Sequence, residues 1–140
     1  MSGRRLDAVL RIRELQERGA RGELARSNDR HRRASDIETR TWALLDRASV
    51  EGPATSRALS AVHTLRRAGT LAADSQHLVA EHAHQASTIA RDHWTIAVRR
   101  VEALERLAER TREASALEAD RRQANEIDDL VLARRGRQTK

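Results

Sequence analysis

The chain has no cysteine, no phenylalanine and no tyrosine, and only one proline, one lysine and two tryptophans in 140 residues. Without cysteine there can be no disulfide framework, thiolate nucleophile or cysteine-based metal site. A compact core takes large residues from several directions. With Trp42 and Trp94 as the only aromatics and 34% of residues charged, the composition predicts a thin, extended helical architecture with Ala and Leu at the contacts. No apolar run approaches the ~20 residues that cross a bilayer. The opening MSGRRLDAVLRIRELQ carries charges where a signal peptide needs an unbroken apolar stretch. The expectation is a cytoplasmic protein with no membrane insertion. There is also no phosphate-cradling glycine loop, nucleophile elbow or Ser/His/Asp set, so the chain reads as non-enzymatic and without a cofactor.

The charge that is present is mostly arginine. Lys140 is the sole lysine, and the formal net charge is +6. Acids are interspersed among the arginines, which predicts pairing with Glu and Asp within and between helices. No basic block alternates with aromatics, so nucleic acid is not an expected partner. At 39% hydrophobic residues in periodic order, the chain is not a disordered polymer either.

The organising stretch is 94–135, which holds neither proline nor glycine. Ala90, Trp94, Ala97, Val101, Leu104, Ala108 and Thr111 alternate at spacings of four and three, the seam of a helix that packs on a partner helix. Past Thr111 the seam drifts and resumes as Leu117, Asp120, Ala124, Ile127 and Val131. So narrow a stripe needs a second helix. The N-terminal third provides it, with Leu6, Val9, Leu10, Ile12 and Leu15 at the start and Ala34, Ile37, Thr41, Leu44 and Ala48 at the end. Gly19 and Gly22 between them read as sites of close helix approach, with a flexible spot as the other reading. Ser35 and Glu38 match a capping box, but the apolar period runs straight through them.

Glu51-Gly52-Pro53 marks the end of the first helix. Thr55 or Ser56 can cap a short helix carrying Leu59, Val62 and Leu65, and Gly69-Thr70 offers a softer break. The predicted organisation is one all-α domain over 1–140, a long antiparallel two-helix coiled coil. It has a first long helix over 4–50 and a turn and short helical cap over 51–85 at the tip opposite the termini. A second long helix follows over 86–135, then a basic tail over 136–140. Setting Trp42 level with Trp94 brings Leu6 level with Leu130 and Ile12 with Ala124, and that register is the expectation. His77, His82, His84 and His93 lack the spacing of helix-borne metal ligands and read as exposed or partner-facing. Leu59, Val62 and Leu65 read as the inner face of the cap or as a small docking patch.

The final stretch resembles the FliJ family, the coiled-coil stalk proteins of the flagellar type III export apparatus. The resemblance rests on Trp94, the segment Leu104-Glu105-Arg106-Leu107-Ala108-Glu109-Arg110, Arg121 with Gln123, and Asp128-Asp129-Leu130 before a basic tail. The opening RRLDAVLRIRELQERGA is also similar, and the match is poorest over 49–85. Where the family has an Asp-Glu pair, Asp129 stands in the glutamate's place.

The resemblance implies a non-enzymatic bacterial coupling protein, cytoplasmic and peripheral at the export apparatus. Its partners would be the hexameric flagellar export ATPase and the membrane export gate protein, with export chaperones as further candidates. Arg4, Arg5, Leu6, Leu10, Asp128, Asp129, Leu130 and Arg134 would form the ATPase-facing tip, and Leu59, Val62 and Leu65 the gate-facing surface. The competing readings are a stalk subunit of another rotary or secretion ATPase and a basic coiled-coil binder of nucleic acid or anionic membrane.

Overall fold

The computed structural model describes residues 3–48 and 52–138, with side chains over 5–48 and 52–135. It is all-helical and consists of α1 (Gly3–Arg47) and α2 (Ser56–Gln138), packed against each other as an antiparallel two-helix coiled coil. The chain forms two compact units. Unit 1 is Met1–Gln16 with Val98–Lys140, and unit 2 is Glu17–Ala97.

The first helix ends at Arg47, short of the expected bound at 50. Ala48 N donates to Leu45 O at 3.1 Å after the last turn. Gly52 has φ +87°, a left-handed conformation that costs glycine nothing and a side-chain-bearing residue energy. Glu51 lies outside the described residues. Thr55 then caps α2, its Oγ1 accepting from Ala58 N at 3.3 Å, which satisfies one of the donors left open by a helix start.

The second helix departs from expectation. The predicted short cap helix is the first turns of α2, which continues through Gly69 and Thr70 without a break. One glycine costs about 1 kcal/mol in a helix interior. Here the residue also lets the partner helix come close, since a Cβ at Gly69 would overlap Leu45 Cδ2 and stand 3.2 Å from Leu45 Cγ. Gly19 and Gly22 do not mark a close approach. Nothing lies within 4 Å of a Cβ at Gly19, and Gly22 meets only the Arg26 guanidinium at 3.5 Å.

In unit 2 the less exposed positions of α1 step by four and three from Glu17 through Ala20, Leu24, Ser27, His31, Ala34, Glu38, Thr41 and Leu45 to Ala48. Those of α2 do so from Gly69 through Ala73, Gln76, Ala80, Ala83, Ser87, Ala90 and Trp94 to Ala97. Contacts between the helices set the register. Glu17 meets Trp94, Asn28 meets Ser87, His31 meets His84 and Glu38 meets His77. Ala20 therefore lies level with Trp94 and Leu45 with Gly69, a large side chain opposite a small one. Trp42, level with Trp94 in the expected register, is 42% exposed and off the seam.

In unit 1 the seam is Leu6, Leu10 and Arg13 on α1 with Val101, Leu104, Ala108 and Thr111 on α2. Val9 and Arg13 share a groove with Arg100, Ala103 and Leu104, which brings Leu6 level with Ala108, both buried. The expected pairing of Leu6 with Leu130 and Ile12 with Ala124 is thus replaced by one shifted about three helical repeats along α2. The expected register set Leu6 against Leu130 and Trp42 against Trp94, whereas the structure sets a large side chain against a small one at Leu6 and Ala108, Trp94 and Ala20, and Leu45 and Gly69.

Candidate functional site

Two surfaces follow from this packing, one in each unit. In unit 1 every described α2 residue after Thr111 is exposed, over 112–135. Burial ends where the sequence seam drifts. The drifted positions Leu117 and Ile127 are 59% and 53% exposed and Val131 is 45%. Beside them stand Leu130 and Leu132 at 69% and 64%. Leucines standing this far out on a helix without a partner helix form an apolar surface that a protein can cover.

The proposed tip residues separate in space. Asp128, Asp129, Leu130 and Arg134 are exposed on this unpaired segment. Arg5 is exposed on α1, Leu6 is buried and Leu10 half-buried in the seam, and the Arg4 side chain lies outside the described residues. From Ala108, level with Leu6, to Leu130 is about 33 Å of helix at 1.5 Å per residue. Asp128, Asp129, Leu130 and Arg134 lie within about two turns of α2, and Arg5, Leu6 and Leu10 stand at the root of the segment.

In unit 2 the start of α2 carries Leu59 and Leu65, exposed at 54% and 62%, and half-buried Val62. Leu65 shares an open depression of about 250 Å³ with Thr41, Leu44, Leu45, Ala48 and Gly69. The depression exists because Gly69 admits the Leu45 side chain and supplies no side chain of its own. Leu59 and Val62 are not part of its lining.

Within unit 2, polar groups of the seam join the two helices. Trp94 Nε1 donates to Glu17 Oε1 at 2.7 Å, and Arg21 pairs with the same carboxylate at 2.9 Å. The indole hydrogen bond first, and Arg21 after it, hold the Glu17 carboxyl below the usual glutamate range. Glu23 is held down by hydrogen bonds from Arg30 and then Arg26, at 2.7 and 3.1 Å. His77 reaches Glu38 across the helices at 2.8 Å. The expectation of exposed or partner-facing histidines holds for His77 in both senses, and His84 faces His31.

Sequence reasoning missed Glu17, His31 and Glu38 as seam residues. Their signal was positional, since they continue the four-three alternation that runs through Leu6, Leu10 and Ala34. Reading only apolar residues hides it. Several arginines pair within one helix, as in Arg33–Asp29 at 2.7 Å and Arg112–Glu109 at 2.9 Å. These exposed pairs add little stability.

Among the described residues no helix is long and apolar enough to cross a membrane. No curated protein and no solved structure matched the chain. The family model described as flagellar FliJ protein matches residues 1–140, the full length of the sequence. With that match, and with the antiparallel helical pair the resemblance implied now seen in the fold, the chain belongs to the FliJ family of the flagellar export apparatus.

Proposed function

We propose that the chain is a non-catalytic coupling protein that links the hexameric export ATPase to the membrane export gate on the cytoplasmic side. The observation that carries this reading is the unpaired segment of α2, where Asp128, Asp129, Leu130 and Arg134 stand exposed on a single helix. A lone helix about 10–12 Å across can enter a narrower opening than a helix pair. Exposed carboxylates and leucines on it make contacts that are individually weak and so can be exchanged as a ring turns over. Paired helices behind it supply the stiffness that passes torque or position on, and no chemistry of the chain's own is required.

In this reading the ATPase contacts the distal half of the segment. Arg4, Arg5, Leu6 and Leu10 serve at its root, where Leu6 and Leu10 anchor α1. The gate-facing surface is Leu59, Val62 and Leu65 with the depression beside Leu65. Export chaperones are further candidate partners for the same exposed leucines.

Co-purification with the export ATPase tests the proposal. Removing 126–140 is expected to abolish the association, while removing 1–4 leaves it intact, because that cut spares Leu6 and the whole unpaired segment. Association that survives loss of 126–140 would sink the tip assignment. Leu59→Asp with Leu65→Asp is expected to weaken association with the gate protein alone.

A further inference from the structure

The seam of unit 2 brings two histidines together, one of which carries a buried nitrogen without a partner among the described residues. His31 of α1 and His84 of α2 stand with ring centres 5.0 Å apart and ring planes inclined at 52°. His31 Nδ1 is buried and has no hydrogen-bond partner. A buried polar nitrogen left in this state costs free energy that a ligand can return.

The surrounding groups are committed elsewhere. One layer along, Ser87 Oγ donates to Asn28 Oδ1 at 2.5 Å. On the other side Glu38 is taken by His77 at 2.8 Å, and on the Asn28 side Glu23 is taken by Arg26 and Arg30. Neither His31 nor His84 has a described carboxylate within ion-pair range.

We propose that His31 and His84 form an interhelical site for a divalent transition-metal ion of the imidazole-preferring class, Zn²⁺, Cu²⁺ or Ni²⁺. Neutral imidazole suits these ions, whereas Mg²⁺ and Ca²⁺ require oxygen ligands that this layer does not present. The spacing fits. With metal–nitrogen bonds of about 2.0–2.1 Å and a tetrahedral angle, two imidazoles sharing one ion place their ring centres roughly 5 Å apart. No group of three or more His, Cys, Asp or Glu side chains is arranged for a metal among the described residues, so the remaining positions belong to water.

The site draws one ligand from each helix, so the ion binds the paired state and not the separated helices. It therefore ties α1 to α2 where the seam consists of small residues, Ala34 on one side and Ala80 and Ala83 on the other. The inference is independent of the export role.

The test is thermal unfolding of the full chain, stripped of metal and then titrated with ZnCl₂ at pH 7.5, followed by circular dichroism at 222 nm. Tm is expected to rise by about 4–7 °C for each tenfold increase once the ion exceeds its Kd. His31→Gln and His84→Gln should each abolish the rise, every variant being judged against its own metal-free Tm so that a folding defect does not mimic lost binding. His77→Gln and His82→Gln should preserve it. Copper(II) should give an electron paramagnetic resonance spectrum of two nitrogen ligands in the wild type and not in His84→Gln. The proposal is overturned if the wild type shows no rise, if the rise survives His31→Gln or His84→Gln, or if it disappears with His77→Gln.

Discussion

The register places Leu6 against α2 at the level of Ala108 and leaves Leu130 without a partner, and a pair of substitutions separates this arrangement from the alternative in which the two leucines face each other. Leu6 is 3% exposed and Leu130 69%. Truncating a buried leucine to alanine costs about 2–5 kcal/mol through lost transfer energy and the cavity left behind. Leu6 sits one turn inside the start of α1, where the chain can partly collapse onto the gap, so Leu6→Ala should fall near the lower end, about 2–3 kcal/mol. Leu130→Ala removes a side chain already in water and should stay within about 0.5 kcal/mol. Urea unfolding followed at 222 nm measures both, as a change in midpoint at constant slope. Because the first turns of α1 can open without the rest, amide hydrogen exchange over 6–16 gives the local readout. Leu6→Ala should raise exchange there and Leu130→Ala should not. If Leu130→Ala destabilised as much as Leu6→Ala, the two residues would be packed together and the register described here would be wrong.

Two further outcomes follow from the unit 2 seam. The Glu17 carboxyl is held below the 4.5 of an ordinary glutamate, first by the Trp94 indole. Its stabilising contribution is therefore complete above about pH 4.5 and is lost as the pH falls through the lower folded-state value. Trp94→Phe should move the acid-unfolding midpoint to higher pH while Trp42→Phe leaves it in place, as an acid titration by circular dichroism will show. At Gly69, alanine displaces Leu45 Cδ2 towards the open depression, and the gain in helix propensity roughly offsets the strain, so Gly69→Ala should be near neutral. Gly69→Val, branched at Cβ, should lose about 1–3 kcal/mol. Combining it with Leu45→Ala should recover part of that in a double-mutant cycle, and an additive result would refute the close contact.

Much of the helical reading came directly from residue order. The seam Ala90, Trp94, Ala97, Val101, Leu104, Ala108, Thr111 is buried or half-buried in the structure, because alternating four-three spacing leaves a helix only one face to bury. Leu6, Leu10, Ala34, Thr41 and Ala48 on α1 were legible for the same reason. Val9, Ile12, Leu15, Ile37 and Leu44 were read onto that face and are exposed. They are apolar, but the alternation passes beside them, through Arg13, Glu17 and Glu38. A polar residue is tolerated in so thin a seam because its head reaches a partner or water at the edge, as Glu17 does with Trp94. The candidate docking residues Asp128, Asp129 and Leu130 were legible as a motif. That Leu6 and Leu10 stand far back along the helix from them was not.

Composition and spacing alone determined that this chain is helical, that its two long helices fold back on each other, and that a break falls at Gly52-Pro53. Each follows from local chemistry: helix-forming residues, one apolar stripe per helix, a glycine with positive φ and a threonine cap. Register belongs to the tertiary structure. A repeating seam can be slid by whole repeats and still match apolar residues with apolar ones, and the fits of Trp94 at Ala20 and Leu45 at Gly69, with the polar contacts of Glu17 to Trp94, Asn28 to Ser87 and Glu38 to His77, select one alignment. That choice decides where α1 stops covering α2, and so which part of the sequence is left as an open helix for a partner.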